Sequence, residues 1–197
     1  MKKRILSIDF DYFLDIDERT SSTKFPLGVD DAPQDVIKEE WEEAYKKYPH
    51  LKDIGIIFDY YKCGSLLIKL QKGKVFIAES HKDIAQLFPL VKDADELEVV
   101  NIDFHHDNYI SGGSKVDCAN WVRHLKELKP NADILWVRRE DSVLSSFEGE
   151  FRYRHTTNIK DVKGDFDYIF LCYSPEWTPL HLRKHYNSLV GALGHLK

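Results

Sequence analysis

The largely apolar run from Leu97 to Ile102 feeds directly into Asp103-Phe-His-His-Asp107, and this junction limits the possible folds more tightly than any other stretch. A run of this kind reads as a buried strand that opens into a loop. Open α/β sheets bind ligands beyond the carboxyl ends of their strands, so the acidic stretch falls where chemistry is usually done. On an extended backbone alternate side chains share a face, which groups Asp103, His105 and Asp107 and sends Phe104 and His106 the other way. Two carboxylates and an imidazole crowded onto one face repel unless they shift their pKa or take up a cation. The D-x-H-x-D pattern is therefore expected to bind metal.

A second strand end supplies matching chemistry. Arg4 to Phe10 reads as a buried strand that finishes in Asp9-Phe-Asp11, again with two carboxylates on one face. A third candidate is His81, after the strand expected over Val75 to Ala78 and before a short helix over Ile84 to Val91. The pooled groups are Asp9, Asp11, His81, Asp103, His105 and Asp107. Mixed oxygen and nitrogen donors without thiolate favour Mn²⁺, or else Mg²⁺, Fe²⁺ or Zn²⁺. With so many donors, two metals per chain are more natural than one.

The rest of the chain reads as scaffold. Pro33 is placed to open a helix whose apolar positions Val36, Ile37, Trp41, Ala44, Tyr45 and Tyr48 recur at helical spacing. Between them the run Lys38 to Glu43 reads as a solvated face. Gln71 to Lys74 is expected to turn a hairpin between strands at Leu66 to Leu70 and Val75 to Ala78. An amphipathic helix is expected over Val116 to Leu128, after the conformationally free Gly112-Gly113, and strands over Ala132 to Val137 and Asp167 to Tyr173. Phe151 to His155 reads as an edge strand. Pro179 is expected to start a last helix that carries His181 and His185 one turn apart. The irregular stretch from Tyr12 to Pro33, with breakers Pro26 and Gly28, reads as a long loop over the strand ends.

Length and composition narrow the classes further. With 197 residues, 43% hydrophobic and 31% charged, the chain suits one globular domain spanning 1–197. No apolar run is long enough for a membrane span, and the apolar part behind Met-Lys-Lys-Arg is too short for a signal peptide, so a cytoplasmic location is expected. Cys63, Cys118 and Cys172 lack paired spacing, which argues against a disulfide framework and a cysteine zinc site. A net charge of -5 without a dense basic cluster gives no footprint for nucleic acid and suits a cationic or neutral substrate.

Asp103-x-His105-x-Asp107 resembles the D-A-H-x-D signature of the arginase and agmatinase ureohydrolases, and Ser7-Ile-Asp-Phe-Asp11 resembles their S-x-D-x-D signature. His81 stands in for the histidine of their G-G-D-H segment, although Glu79-Ser80 lacks the glycines. The chain is short and its S-x-D-x-D comes first. With Ser174-Pro-Glu-Trp-Thr-Pro179 it is most similar to the compact, permuted peptide arginases of ribosomal-peptide (proteusin) biosynthesis. That resemblance implies a three-layer arginase/deacetylase-like α/β fold with a mainly parallel sheet. It also implies hydrolysis of arginine side chains in a precursor peptide to ornithine and urea, through a hydroxide held by two Mn²⁺. Asp9 and Asp103 would bridge the metals, His81 and Asp107 would complete one, and Asp11 and His105 the other. Asp107 would also accept a hydrogen bond from the hydroxide. The position of the family's proton-shuttling histidine falls on Asn120, which leaves His106 or His124 as candidates for that role. A carboxylate facing two guanidinium N–H groups is expected from charge complementarity, with Glu176 first and Glu79 second.

Three other readings use the same residues. Amidohydrolase or deacetylase relatives use fewer acidic ligands, so Asp11 argues against them. A haloacid-dehalogenase-like phosphatase would use Asp9 as nucleophile and Asp11 as acid, and leaves D-x-H-x-D unexplained. A peptide-binding module with a structural metal would need a coordinatively closed site.

Overall fold

Strand β1 (Lys2–Asp9) occupies an inner position in a six-stranded sheet, and its side chains serve two cores. The computed structural model describes residues 1–17, 32–109, 115–144 and 154–196. Within them the main strands are β4 (Lys74–Ala78), β5 (Glu96–Ile102), β6 (Asp133–Val137), β7 (Arg154–Thr156) and β8 (Tyr168–Cys172). They lie in the order β4-β8-β1-β5-β6-β7, and every pairing is parallel. Two short strands, β2 (Leu14–Asp15) and β3 (Gly55–Ile56), pair antiparallel beside it.

Strand periodicity explains the layers. Leu6, Ile8, Val100, Ile102, Ile169 and Leu171 face one core, while Ile5, Leu97, Val99, Phe170 and Cys172 face the other. The first core is covered by α1 (Gln34–Lys47) through Ile37 and Trp41, α2 (Asp59–Lys69) through Cys63 and Leu67, and α5 (Arg183–Ala192) through Tyr186 and Leu189. The second is covered by α3 (Phe88–Val91) through Val91 and α4 (Trp121–Leu128) through Trp121, Val122 and Leu125. The fold is thus α/β, with five described helices over a parallel sheet. Burying each large aliphatic side chain stabilises it by about 1.5–3 kcal/mol. A two-faced core of this size offsets the cost of gathering carboxylates at its edge. No described helix is long and apolar enough to cross a membrane.

Two expectations about elements are overturned. Leu66 to Leu70 is no hairpin arm: all but Leu70 belong to α2, whose buried positions Tyr60, Cys63 and Leu67 recur at helical spacing. The β-branched and aromatic content of the segment pointed to strand, but joining parallel strands needs a crossover, and a helix fills it. The second helix expectation is too long, since α4 begins at Trp121. Ahead of it Asn120 accepts from the Asp117 amide (2.8 Å) and donates to Asp117 Oδ2 (2.8 Å) and the Lys115 carbonyl (3.1 Å), holding 115–120 as a turn. Pro33 and Pro179 stand at helix starts as expected, the latter before a short 3₁₀ turn, Leu180–Leu182. Most of the expected loop over the strand ends (18–31), Gly112-Gly113, and 151–153 of the expected edge strand lie outside the described residues.

Candidate metal centre

Parallel register brings the ligand-bearing strand ends level. Ile8 pairs with Ile102, and Asp9 and Ala78 both pair with Cys172, so β1, β4, β5 and β8 finish side by side. Asp9 ends β1 and caps the 3₁₀ turn Phe10–Phe13, accepting from the Asp11 amide at 3.2 Å, and this folds Asp11 back toward the same end. The Ser80 side chain caps the next 3₁₀ turn, His81–Leu87, and sets His81 at its start. Asp103 follows β5 directly, and its main-chain carbonyl accepts from the buried Trp136 indole at 2.9 Å.

Six predicted donors converge here. His81 Nδ1 lies 3.1 Å from Asp9 Oδ2, 3.2 Å from Asp103 Oδ2 and 3.0 Å from Asp107 Oδ2, with every one of these side chains buried. His105 Nδ1 lies 3.0 Å from Asp11 Oδ2 and 4.0 Å from Asp103 Oδ1. Asp103 therefore turns one oxygen to each group. D-x-H-x-D reaches this arrangement as a loop with Asp107 at φ 50°, not by strand alternation. His106 still turns away from the cluster, packing edge-on against Trp136 and stacking on Tyr109.

The donor set fits divalent cations. Ser7 Oγ lies 2.8 Å from His81 Nε2, so the other ring nitrogen is the one that faces the carboxylates. A single proton there satisfies one of three oxygens and leaves uncompensated charge in a buried site. Donor atoms about 3.0 Å apart match the edge of an octahedron with metal–ligand distances of about 2.1 Å. Outer contacts orient the ligands: Ser174 Oγ donates to Asp9 (2.6 Å), Trp121 Nε1 to Asp107 (2.5 Å), Asn101 Nδ2 to Asp103 (3.2 Å). A third grouping, Asp9, His81 and Cys172, is also compact. Its thiol lies 3.7 Å from the Ile8 carbonyl and belongs to the second core.

Without metal, crowding shifts the protonation of Asp9, Asp11, His81, Asp103 and His105. Burial, then the charges of Asp9 and Asp103, raises Asp11 to about 7. Burial and Asp107 raise Asp103 to about 8. Burial pulls down on His105, but Asp11 and the neighbouring carboxylates carry it to about 9. His81 behaves alike: burial opposes its charge, yet Asp107, Asp103 and Asp9 hold it well above the usual range. Asp9 is lowered, since hydrogen bonds from His81, Ser174 and the Asp11 amide outweigh its burial. Asp9, Asp11, Asp103 and the two imidazoles, tied together in this way, exchange protons as a unit.

A cavity of about 440 Å³ opens on the cluster. Asp9, Asp11, His105, Asp107 and Ser174 form its polar side, and Phe104, Tyr109, Cys118, Ala119, Val143 and Trp177 its apolar walls. No Lys or Arg is among these described lining residues.

The residues expected to act beyond the metals are placed differently. Burial and the nearby His105 lower His106 to about 4, and its Nδ1 accepts from the Asn108 amide at 3.0 Å, so it holds no proton to give near neutral pH. His124 lies 3.3 Å from Glu127 on α4. Glu176 is 1% exposed, and while Ser174 and Trp177 line the cavity, Glu176 is not among its described walls. Glu79 is already engaged, receiving both Arg183 terminal nitrogens at 2.7 and 2.5 Å while that guanidinium lies 3.7 Å over Tyr173. On the last helix region His181 contacts the Tyr45 hydroxyl and the Ile54 carbonyl, and His185 packs on Tyr60, which leaves no shared metal site between them. Sequence reading missed the roles of Asn101 and Ser174. The first lies on β5 two residues before Asp103, which follows that strand directly, so period-two spacing carried a signal. Ser174, at φ 48° and 165 residues from its partner Asp9, carried none.

Fold and centre together define a class: a parallel α/β protein whose aligned strand ends gather buried carboxylates and imidazoles that could hold a metal ion. No protein family matches the chain, and neither do the curated proteins or the solved structures compared with it.

Proposed function

We propose that the protein is a peptide arginase, a compact and permuted arginase/deacetylase-like hydrolase that uses two Mn²⁺ to convert arginine side chains of a precursor peptide to ornithine, releasing urea. The observation that carries this reading is Asp103, whose two oxygens turn to different histidine-carboxylate groups. That is the arrangement of a ligand shared by two metals. Asp9 would be the second shared ligand, with His81 and Asp107 completing one site and Asp11 and His105 the other.

When bound, a pair of divalent cations supplies Lewis acidity that makes water a nucleophile near neutral pH. The chain's own groups do the rest. Asp107, fixed by the Trp121 indole, presents a carboxylate to the cavity and can accept the proton that orients the attacking water. The apolar walls exclude bulk water, which strengthens each charge inside. Water adds to the guanidinium carbon, the bond to the side-chain nitrogen breaks, and that nitrogen leaves as an amine after taking a proton. The proton that Asp107 accepts from the attacking water is the one the leaving amine can take, since His105 would be occupied as a ligand and His106 and His124 are not among the described cavity walls. The acidic rim favours a cationic substrate. A phosphatase using Asp9 would leave His105 and Asp107 without a part, and no Lys or Arg is among the described walls to bind its phosphate.

The test is urea release by Mn²⁺-loaded protein from an arginine-containing peptide, with free L-arginine compared. Urea from the peptide at higher kcat/KM is the expected result. No urea from either substrate overturns the reading, and equal use of free arginine overturns the peptide part.

A further inference from the structure

The cavity sets aromatic walls against an anionic floor, and one of its aromatic faces has no partner cation among the described residues. Trp177 lies on the cavity wall with its ring 4.5 Å from that of His105. Phe104, the other ring beside His105, carries the Arg139 guanidinium at 5.4 Å. Among the described residues no Lys or Arg lies over Trp177. Its loop is built to keep the indole still. The Trp177 and Thr178 amides both donate to the Ser174 carbonyl at 2.9 Å, and Thr178 Oγ1 donates to the Tyr173 carbonyl at 2.8 Å. Tyr173 Oη donates to the Pro179 carbonyl at 2.8 Å, and the Trp41 indole donates to the Pro175 carbonyl at 2.7 Å. Within 171–179 every other residue is buried. A rigid, partly exposed aromatic beside carboxylates is how proteins hold desolvated cations by their faces.

The geometry points to Trp177 as the specificity-determining wall of the cavity, stacking on a planar, delocalised cation of the guanidinium or amidinium class as it reaches the metal centre. This deepens the proposed guanidinium hydrolysis and rests on it for the chemistry, though not for the binding. The molecule already uses the same recognition internally, where Tyr173 takes the face of Arg183 and Glu79 its edges. A flat cation fits an indole face across its whole area. An ammonium group is compact and strongly hydrated, and a neutral urea group carries no charge to attract the ring.

Three probes separate these properties: N-acetylarginine amide, N-acetylcitrulline amide and N-acetyllysine amide, each titrated calorimetrically into Mn²⁺-loaded protein. Trp121 bonds to Asp107 on the cavity wall, so a fluorescence change on binding counts for Trp177 only where Trp177→Leu removes it. The arginine probe should bind at least tenfold tighter than the other two and alter the fluorescence. Trp177→Leu should weaken arginine binding, or raise its KM, about tenfold with kcat and metal content held, and Trp177→Phe should restore most of the loss. Equal affinity for the three probes, unchanged affinity in Trp177→Leu, or loss of metal from that variant overturns the assignment. Urea is measured separately. Trp177-dependent binding without urea sinks the hydrolase reading and leaves the wall standing, whereas urea release with an unaltered Trp177→Leu KM does the reverse.

Discussion

Ser7 and His81 meet across the ends of neighbouring segments, with Ser7 Oγ 2.8 Å from His81 Nε2, and this contact decides which ring nitrogen confronts Asp9, Asp103 and Asp107. Partners of this kind are worth about 10- to 100-fold in metal affinity. Ser7→Ala should therefore weaken binding of the metal nearer His81 by about tenfold or more, while the site at Asp11 and His105 keeps its affinity. Calorimetric titration with Mn²⁺ resolves the two. Equal weakening of both sites, or of neither, counts against the selective role.

Asp103 is predicted to be the ligand neither site can lose. Purified protein should carry about two divalent ions per chain, and Asp103→Ala should lose both, whereas Asp11→Ala should lose one. Elemental analysis after desalting gives the stoichiometry. Activity persisting in thoroughly metal-free protein would refute the metal-dependent reading altogether.

The metal-free protein should lose stability as pH rises. Asp11 near 7 and Asp103 near 8 stand above their ordinary 3.8, and His105 near 9 stands above 6.5. Between about pH 4 and 9 the folded chain thus binds more protons than the unfolded one, and the stability tied to those protons fades as each group titrates. The lowered Asp9 acts in the opposite sense, but only in acid. Tm without metal should fall on the order of 5 °C between pH 6 and 9. Saturating Mn²⁺ should abolish the decline and release protons on binding, measurable in weak buffer. A flat profile without metal would mean that the cluster is not protonated in this way.

Glu176→Gln separates two roles for a buried carboxylate. If Glu176 grips the guanidinium edge, urea release should drop roughly a hundredfold with both metals retained. If it serves only the packing of its loop, Tm should fall and kcat remain. Turnover and thermal denaturation on the same preparation distinguish them.

The clustered Asp and His side chains and the strands carrying them were legible because they depend on local pattern. Apolar runs gave β1, β5, β6 and β8, and polar groups just past their ends gave Asp9, Asp11, His81 and the D-x-H-x-D loop. Strand alternation also foresaw that His106 turns away from Asp103, although the segment is a loop. What escaped depends on partners distant in sequence. The helix over 59–69 was hidden by its β-favouring residues until the parallel strands β1 and β4, which flank β8, required a crossover between them. The interior position of Glu176 and the exposure of Trp177 are set by a loop whose bonds reach back to Trp41. No periodicity in 174–179 announces which of the two meets the cavity.

The strand order also constrains how the chain acquires its centre during synthesis. β8 lies between β4 and β1, so a gap flanked by residues made early must wait for 168–172. At about 5–20 residues per second, the roughly 66 residues after Ile102 take several seconds to emerge. Throughout that interval both flanking strands have an unpaired edge, and Asp9 lacks the Ser174 hydroxyl that orients it. A nascent chain already holding all six clustered Asp and His residues is thus still an open template for wrong pairing, and the complete centre waits for the last strand to arrive.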